Sequence, residues 1–225
     1  MNPKPFTGLP VVGLVGGIGS GKSAVAQGLA ARRNVIVINA DALGHQVLKE
    51  RETKESVKKR FGPDVINKQG EIDRSRLARK VFGSDQESQK AREDLNRIVH
   101  PRIGEKIREE IAKARKRAER EPGSVEGVLL DAAILLETGW GEMCDAIVYV
   151  DASDQIREQR VREARGWRAD DWKKREQSQL DLEAKKHASD VIINNSRDLE
   201  LAVDELEQFF ASQVSERNPS SGSNH

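Results

Sequence analysis

The sequence has one cysteine, few aromatic residues and no long apolar run, and each shortage limits what the chain can be. Cys144 is the only cysteine among 225 residues, so no disulfide can form within the chain. Aromatic residues make up 4%, hydrophobic residues 36% and charged residues 33% of the chain, which predicts a compact sheet surrounded by long amphipathic helices. No apolar run approaches the roughly 18 residues that a membrane-spanning helix requires. No apolar stretch follows Met1–Pro5 either, so we expect no signal peptide and a cytoplasmic protein.

The charges are balanced and the histidines are scattered. The 38 Lys and Arg and 37 Asp and Glu residues leave a formal net charge of +1, which argues against a dedicated nucleic-acid-binding protein. The basic stretch Lys113–Arg117 is flanked by glutamates and is typical of a solvated helix face. None of the four histidines stands at metal-ligand spacing from another histidine or from Cys144, so we expect no structural zinc site.

A glycine-rich segment is the most informative part of the sequence. Gly16–Ser23 reads G-G-I-G-S-G-K-S, which fits the pattern G-x-x-x-x-G-K-[ST]. The apolar run Val11–Val15 precedes it, and the helix-compatible segment Ala24–Arg32 follows it. Strand, glycine-rich loop and helix in this order predict a phosphate-binding loop, in which backbone N–H groups surround a polyphosphate.

Two side chains of this loop have predicted roles in nucleotide chemistry. We expect Lys22 to reach the β- and γ-phosphates of a nucleotide and to act in catalysis, and Ser23 to bind Mg²⁺. The predicted nucleotide-binding residues are Gly16, Gly17, Ile18, Gly19, Ser20, Gly21, Lys22, Ser23 and Ala24.

Five short apolar segments alternate with helical patterns along the chain. This alternation predicts an α/β fold of the P-loop NTPase type, with a five-stranded, mainly parallel sheet flanked by helices. Ligands bind at the carboxyl ends of such strands, where the loop, Asp41 and Asp131 all fall. The predicted strands are Val11–Val15, Val35–Ile38, Gly127–Asp131, Ala146–Val150 and Asp190–Asn194.

The segments outside the sheet predict one P-loop domain over residues 11–211. An N-terminal extension of residues 1–10 precedes it, and a disordered, polar tail of residues 212–225 follows it. Residues 42–120 hold no convincing strand and are predicted to form a helical insertion. Within the insertion, His100-Pro101 is predicted to break a helix, because the residue before a proline avoids the helical conformation.

A helical lid is predicted over residues 153–187, with helices at 153–165 and 170–187. Residues 157–175 hold eight basic and four acidic residues, in a chain that is otherwise nearly neutral. Arginines placed after the fourth strand can close over a polyphosphate and stabilise charge on a transferring phosphoryl group. An exposed basic helix pair is the alternative interpretation.

Two classes of phosphate-loop protein compete, a phosphotransferase and a switch GTPase. The only Asn-Lys pair, Asn67-Lys68, lacks the Asp two residues on that would read guanine. The third strand runs into Asp131-Ala132-Ala133-Ile134, without the Asp-x-x-Gly sequence of a γ-phosphate sensor. Both observations favour a phosphotransferase. Among phosphotransferases, a nucleoside monophosphate kinase or another small-metabolite kinase shares the sheet, the loop and the lid.

Ordered segments beyond the loop resemble the dephospho-CoA kinase family, from about Val11 to Phe210. The Leu-Asn-x-x-x-His-Pro and Leu-Leu-Glu sequences are much more specific than the loop, which many kinases share. The resemblance implies ATP-dependent phosphorylation of the ribose 3′-hydroxyl of dephospho-CoA, giving CoA and ADP, with Mg²⁺ accompanying the nucleotide. The segments that carry it are Gly13–Ser23, Asn39–Asp41, Leu95–Pro101, Asp131–Glu137 and Ala188–Asn195.

The resemblance also implies roles for residues outside the loop. Asp41 matches the acid that activates the acceptor, and a carboxylate at the end of the second strand can accept a hydroxyl proton. The alternative for Asp41 is a plain N-cap of the next helix. Arg160, as a catalytic residue, and Arg165 match nucleotide-contacting arginines of the family, and Asn195 is implied in nucleotide binding. The implied substrate-binding residues are Asp41, His100, Asp131, Leu135 and Glu137.

The chain departs from the family's pattern at three positions and leaves one role open. Asn39 stands where the family usually has an Asp, so an acidic role there is lost; Ala24 and Ala133 replace the usual Thr and Pro. His100-Pro101 borders the substrate pocket or is only a helix break. The expected partner is dephospho-CoA, without nucleic acid or membrane, and we expect a monomer or weak homo-oligomer.

Overall fold

The computed structural model describes residues 8–83, 85–176 and 179–215. By its internal contacts the chain divides into two compact units. The first unit comprises the residues up to Asn39 together with those from Glu110 onward, and the second comprises Ala40–Glu109. The helices are α1 Lys22–Arg32, α2 Ala40–Val47, α3 Arg51–Phe61, α4 Arg74–Val81, α5 Gln86–Arg120, α6 Asp154–Arg165, α7 Ala169–Glu176, α8 Leu182–His187 and α9 Leu199–Ser215.

A five-stranded parallel sheet forms the centre of the first unit and confirms the predicted α/β fold. The strand order is β2-β3-β1-β4-β5, and every neighbouring pair is parallel. The three central strands are continuous apolar runs because both of their faces are buried. The strands are β1 Val11–Val15, β2 Val35–Asn39, β3 Gly127–Asp131, β4 Ala146–Asp151 and β5 Val191–Asn194.

The core of the first unit lies between the sheet and the helices α1 and α9. Leu29 of α1 and Phe210 of α9 are fully buried in one cluster with strand residues such as Leu129. The two helices approach closely at Gly28, where any β-carbon would collide with Val203. Helix α1 begins at the end of the glycine-rich loop. Its packing against α9 therefore fixes the position of the helix N-terminus beside the loop.

The second unit has its own helical core. Residues of α3 and α4, together with Val65, Ile72 and Ala91, pack into a separate apolar cluster. Its only extended pairing among the described residues is one antiparallel bridge between Ile66 and Ile72. The intervening turn holds the Asn67-Lys68 pair, and the Asn67 side chain accepts hydrogen bonds from the N–H groups of Gln69 and Glu71. The other regular elements described in this unit are helices.

The predicted helix break at His100-Pro101 is wrong. Helix α5 continues from Gln86 to Arg120 with Pro101 inside it. An interior proline costs about 3 kcal/mol because it removes a hydrogen bond and crowds the preceding turn. Val99, Ile103 and Ile107 are all buried at helical spacing on both sides of the proline. This continuous apolar stripe keeps the helix intact, since tertiary packing supplies most helix stability in proteins.

The lid region contains three helices where the sequence predicts two. Helix α6 ends at Gly166, which has the left-handed conformation (φ 63°) that favours glycine. The predicted second helix over 170–187 is instead divided into α7 and α8, because Asp181 caps a new helix start through the N–H groups of Glu183 and Ala184.

The last helix extends beyond the predicted start of the tail. Helix α9 continues to Ser215 because Gln213 is buried and Val214 packs against the core cluster. The predicted boundary at residue 212 is therefore too early. Residues 216–225 of the predicted tail and residues 1–7 of the predicted extension lie outside the described residues. In the part of the chain that is described, no helix is both long and apolar enough to cross a membrane.

Candidate active site

The glycine-rich loop lies between β1 and α1, at the carboxyl end of the sheet. Gly16, Gly19 and Gly21 all have positive φ angles (148°, 85° and 89°), a region that favours glycine. A β-carbon at Gly16 would collide with the backbone carbonyl of Val150, and one at Gly21 would collide with Asn195. The loop therefore requires glycine for conformation and for space.

The N-terminus of α1 and the side chain of Lys22 meet at this loop. Gly21 precedes the helix and provides no side-chain cap, so backbone N–H groups of the first turn suit an anion. Lys22 is buried, with 8% of its surface exposed. Its Nζ donates to the carbonyl oxygens of Gly16 and Gly17, each at 3.1 Å. A positive charge and N–H donors thus occupy one small region.

Asp131, at the end of β3, joins two other residues at the carboxyl edge of the sheet. Its Oδ2 accepts hydrogen bonds from Ser23 Oγ at 2.5 Å and from Asn39 Nδ2 at 2.9 Å. The strand register produces this meeting, because Asp131 is the direct neighbour of Asn39 on β2 and of Leu14 on β1. Asp131 was predicted from the resemblance to contact the substrate; the structure brings it to Ser23, the predicted Mg²⁺ ligand.

The donor set of this cluster fits Mg²⁺. A serine hydroxyl and a carboxylate are the oxygen ligands that Mg²⁺ takes in proteins, usually one or two at a time, with phosphates and water completing the shell. No group of three or more His, Cys, Asp or Glu residues suited to a metal occurs among the described residues. The arrangement therefore suits a metal ion that arrives with a nucleotide, and it offers no all-protein cage.

Asn195 and Arg160 support the loop at the Ser20 carbonyl. Asn195 Nδ2 donates to the Ser20 carbonyl at 2.7 Å, and its own carbonyl accepts from Arg160 Nη2 at 2.9 Å. Arg160 Nη1 also reaches the Ser20 carbonyl at 3.3 Å. Asn195 is buried, and among the described residues its Oδ1 and the Ser20 Oγ have no hydrogen-bond partner. Both predicted residues therefore contact the loop.

A family model described as dephospho-CoA kinase matches residues 10–200. The chain belongs to the dephospho-CoA kinase family. It is 36% identical over 211 residues to a dephospho-CoA kinase of Corynebacterium diphtheriae, covering 91% of this chain and 98% of that protein. It is also 36% identical over 186 residues to one of Thermobifida fusca, covering 82% and 86% of the two chains.

Solved structures share the fold of this chain. The crystal structure of TT1252 from Thermus thermophilus has a TM-score of 0.71 at 30% identity, covering 92% of this chain and 98% of that one. A dephospho-CoA kinase from Campylobacter jejuni, at 20% identity, shares the fold with a TM-score of 0.58, covering 90% and 96% of the two chains. As a member of the family, the chain is a kinase for dephospho-CoA and uses ATP.

Leu135 and Glu137, of the family's Leu-Leu-Glu segment, have structural contacts in this chain. Leu135 is fully buried and packs beside Gly13. Glu137 Oε1 pairs with Lys185 Nζ at 2.8 Å and accepts from the N–H of Leu180 at 2.9 Å. Lys185 is itself fully buried. These contacts connect the segment after β3 to α8, and the proposed contact of Leu135 and Glu137 with substrate stays a prediction.

The remaining predicted residues lie on helices. Asp41 is exposed and is the second residue of α2, so it lies inside the first turn instead of serving as the cap. His100 is half-buried on α5, and burial lowers the pKa of its imidazole. The Arg165 guanidinium lies 4.9 Å from the ring centroid of Trp167, at the far end of α6.

The sequence does not predict the contacts that α6 and α7 make with the loop at Ile18. Arg157 of α6 and Glu176 of α7 both reach the backbone of Ile18. Nothing in the sequence separates Arg157 from the other basic residues of the lid, because burial decides which arginine meets the loop. The available signal was the i, i+3 spacing of Arg157 and Arg160, which puts both on one face of a helix.

Proposed function

We propose that this kinase transfers the γ-phosphoryl group of ATP to the ribose 3′-hydroxyl of dephospho-CoA, with the triphosphate bound by Gly16–Ser23. The observation that carries the proposal is the meeting of Ser23, Asn39 and Asp131 beside this loop at the carboxyl ends of three strands. Phosphoryl transfer depends on positioning and on stabilising negative charge. The loop supplies both, through its N–H groups and through Lys22.

Lys22 and Arg160 provide positive charge for the transferring group. The Lys22 ammonium contacts the carbonyls of Gly16 and Gly17, and from there it exchanges these neutral acceptors for oxygens of the β- and γ-phosphates. Charge-assisted hydrogen bonds to phosphate are about twice as strong as neutral ones, which favours the exchange. The Ser20 and Asn195 carbonyls hold Arg160 at the loop. From there Arg160 donates to the transferring γ-phosphoryl group.

Ser23 and Asp131 would hold Mg²⁺, Ser23 through its hydroxyl and Asp131 through its carboxylate. Held by these two residues, Mg²⁺ would supply positive charge to the phosphates of the nucleotide. Asn39 donates to Asp131 and so orients the carboxylate. Because Asn39 replaces an acid, this cluster contributes one carboxylate charge and leaves the rest of the shell to phosphates and water.

Asp41 acts as the general base that accepts the proton of the 3′-hydroxyl. It is exposed and lies two residues after Asn39, the last residue of β2, whose side chain contacts Asp131. General-base assistance contributes about 10²–10⁴-fold to many enzymes, and the loose transition state of phosphoryl transfer lowers that figure.

A cavity within the second unit has the chemistry to bind part of the acceptor. It encloses about 370 Å³, within the usual range for ligand sites. Arg74 Nη2 lies 2.9 Å from His45 Nε2 in the lining of this cavity. We infer that His45, Lys49 and Arg74 bind the acceptor's diphosphate. Leu48 and Ile72 contact its pantetheine arm. The lining residues are His45, Leu48, Lys49, Glu71, Ile72 and Arg74.

The residue roles are tested by comparing Asp41→Asn with Glu55→Gln, a matched control on the exposed surface of α3. We expect Asp41→Asn to lower kcat with dephospho-CoA by about 10²-fold or somewhat less, with an unchanged Kd for ATP. Glu55→Gln is expected to keep wild-type values. Full turnover and an unchanged pH profile in Asp41→Asn would remove Asp41 from the proposal.

A further inference from the structure

Arg157 lies directly on the glycine-rich loop. Its side chain is buried, with 3% of its surface exposed, although it stands on a helix of mainly charged residues. Its Nη1 is 3.5 Å from the Ile18 carbonyl. A β-carbon at Gly17 would collide with this guanidinium. Gly17 is therefore required for the close approach of an arginine to the loop backbone.

Glu176 brings a carboxylate to the same place. Its Oε1 accepts a hydrogen bond from the backbone N–H of Ile18 at 3.3 Å. The two oxygens form a bidentate pair with Arg157, through Nη1 to Oε1 and through Nη2 to Oε2, the latter at 3.1 Å. Trp172 completes the contact, because its indole N–H donates to the Ile18 carbonyl at 3.3 Å and its ring lies 5.1 Å from the Arg157 guanidinium carbon.

The Glu176 carboxylate thus makes the two contacts that a phosphate oxygen makes in a loop of this kind. It accepts a hydrogen bond from a backbone N–H of the loop and pairs with a guanidinium through both of its oxygens. Both of these donors bind phosphate as well as carboxylate. A carboxylate and a polyphosphate repel each other strongly at a few ångströms. They cannot occupy this position together at low cost.

We propose that Glu176 competes with the nucleotide's phosphates for the Ile18 N–H and for Arg157, and that Arg157 is a further nucleotide-contacting residue of the kinase. This inference rests on the proposed function, which places the triphosphate in the loop. When phosphate enters, the Glu176 carboxylate leaves and Arg157 exchanges it for a phosphate oxygen.

Asp154 provides the matched comparison. Its Oδ1 pairs with the same guanidinium, at 2.7 Å from Arg157 Nη2, but Asp154 is 82% exposed and stands on the solvent side. Asp154→Asn therefore removes a charge partner of Arg157 without changing the carboxylate at the Ile18 N–H. Glu176→Gln keeps the size and the acceptor oxygen of the side chain and removes its charge.

The test measures Kd for a non-hydrolysable ATP analogue with Mg²⁺, and for inorganic tripolyphosphate, by calorimetry. We expect Glu176→Gln to lower both Kd values by about tenfold, because the repulsion between carboxylate and phosphate is lost. Asp154→Asn is expected to stay within about twofold of wild type, since an exposed charge is screened by solvent. Glu176→Ala serves as a second variant with the same expected sign, and circular dichroism checks that each variant is folded.

Unchanged or weaker binding in both Glu176 variants would overturn the proposal, because a purely structural partner of Arg157 gives that result. An equal gain in Asp154→Asn, or a gain for the ATP analogue alone and not for tripolyphosphate, would overturn it as well. If the wild-type protein bound neither probe, the nucleotide site itself would be wrong. If it bound both and the Glu176 variants gained nothing, only this inference would fail.

Discussion

Asn39 lies inside the site, at a position where the resemblance to the family implies an acid. In place of an acid, it donates to the Asp131 carboxylate that also accepts from Ser23. The amide therefore stabilises the charge of Asp131, whereas a second carboxylate would repel it.

This contact predicts the behaviour of Asn39→Asp. We expect the variant to unfold about 4–8 °C below wild type in EDTA, because a half-buried hydrogen bond of about 2 kcal/mol becomes a repulsive pair. Added Mg²⁺ is expected to restore much of that difference, because the ion neutralises both carboxylates. Thermal melts in EDTA and in Mg²⁺ check this result. Equal melting temperatures for variant and wild type in both buffers would contradict the role given to the cluster.

His100 predicts a pH dependence of stability. Burial lowers its pKa below the ordinary value of 6.5, so the unfolded chain binds this proton more readily than the folded protein does. The neutral His100 side chain therefore makes its full contribution to the free energy of unfolding above about pH 6.5. This contribution is lost as the pH falls from 6.5 to the lowered pKa. Urea melts from pH 7.5 to 5 are expected to show this decline.

The control for His100 is a second histidine of the same chain. His100→Gln is expected to flatten the decline in unfolding free energy, whereas His187→Gln, at an exposed position on α8, is expected to leave it unchanged. A decline of equal size in His100→Gln and in wild type would show that other groups cause it.

At the scale of elements, α5 gives the clearest test. Because Pro101 lies inside this helix, Pro101→Ala restores a backbone N–H that can bond within the helix. We expect a gain of about 2 kcal/mol, the cost of an interior proline less the entropy that proline removes from the unfolded chain. The matched control is Pro63→Ala, because Pro63 begins a short 3₁₀-helix, where proline is well suited. A lower melting temperature for Pro101→Ala than for Pro63→Ala would contradict the continuous helix.

The elements also show how far the sequence could predict this fold. The five strands and the helices α1 and α9 followed from apolar runs and spacing, because those patterns are local. Pro101 was misread because burial on both sides of the proline depends on distant packing. The division between α7 and α8 depends on Asp181, which caps the start of α8. Several polar side chains in such a segment could form a local hydrogen bond to the backbone, and the sequence does not show which one caps a helix.

At the scale of the whole molecule, the loop was predictable and its surroundings were not. Gly16–Ser23 has a pattern that specifies its own conformation. The contact of Ser23 with Asp131 depends on the order of strands in the sheet, which is a property of pairings far apart in sequence. The same reason explains why Arg157 could not be selected from the basic residues of the lid.

The activity of the whole molecule is tested most directly by a competition between acceptors. The protein is mixed with MgATP and equal concentrations of dephospho-CoA, AMP, CMP and UMP, and each new phosphomonoester is quantified and located by NMR. Our account predicts that dephospho-CoA is consumed first and that the new phosphate is on its ribose 3′-hydroxyl, with ADP formed in equal amount. Faster phosphorylation of any nucleoside monophosphate, or a phosphate at another hydroxyl of dephospho-CoA, would contradict it.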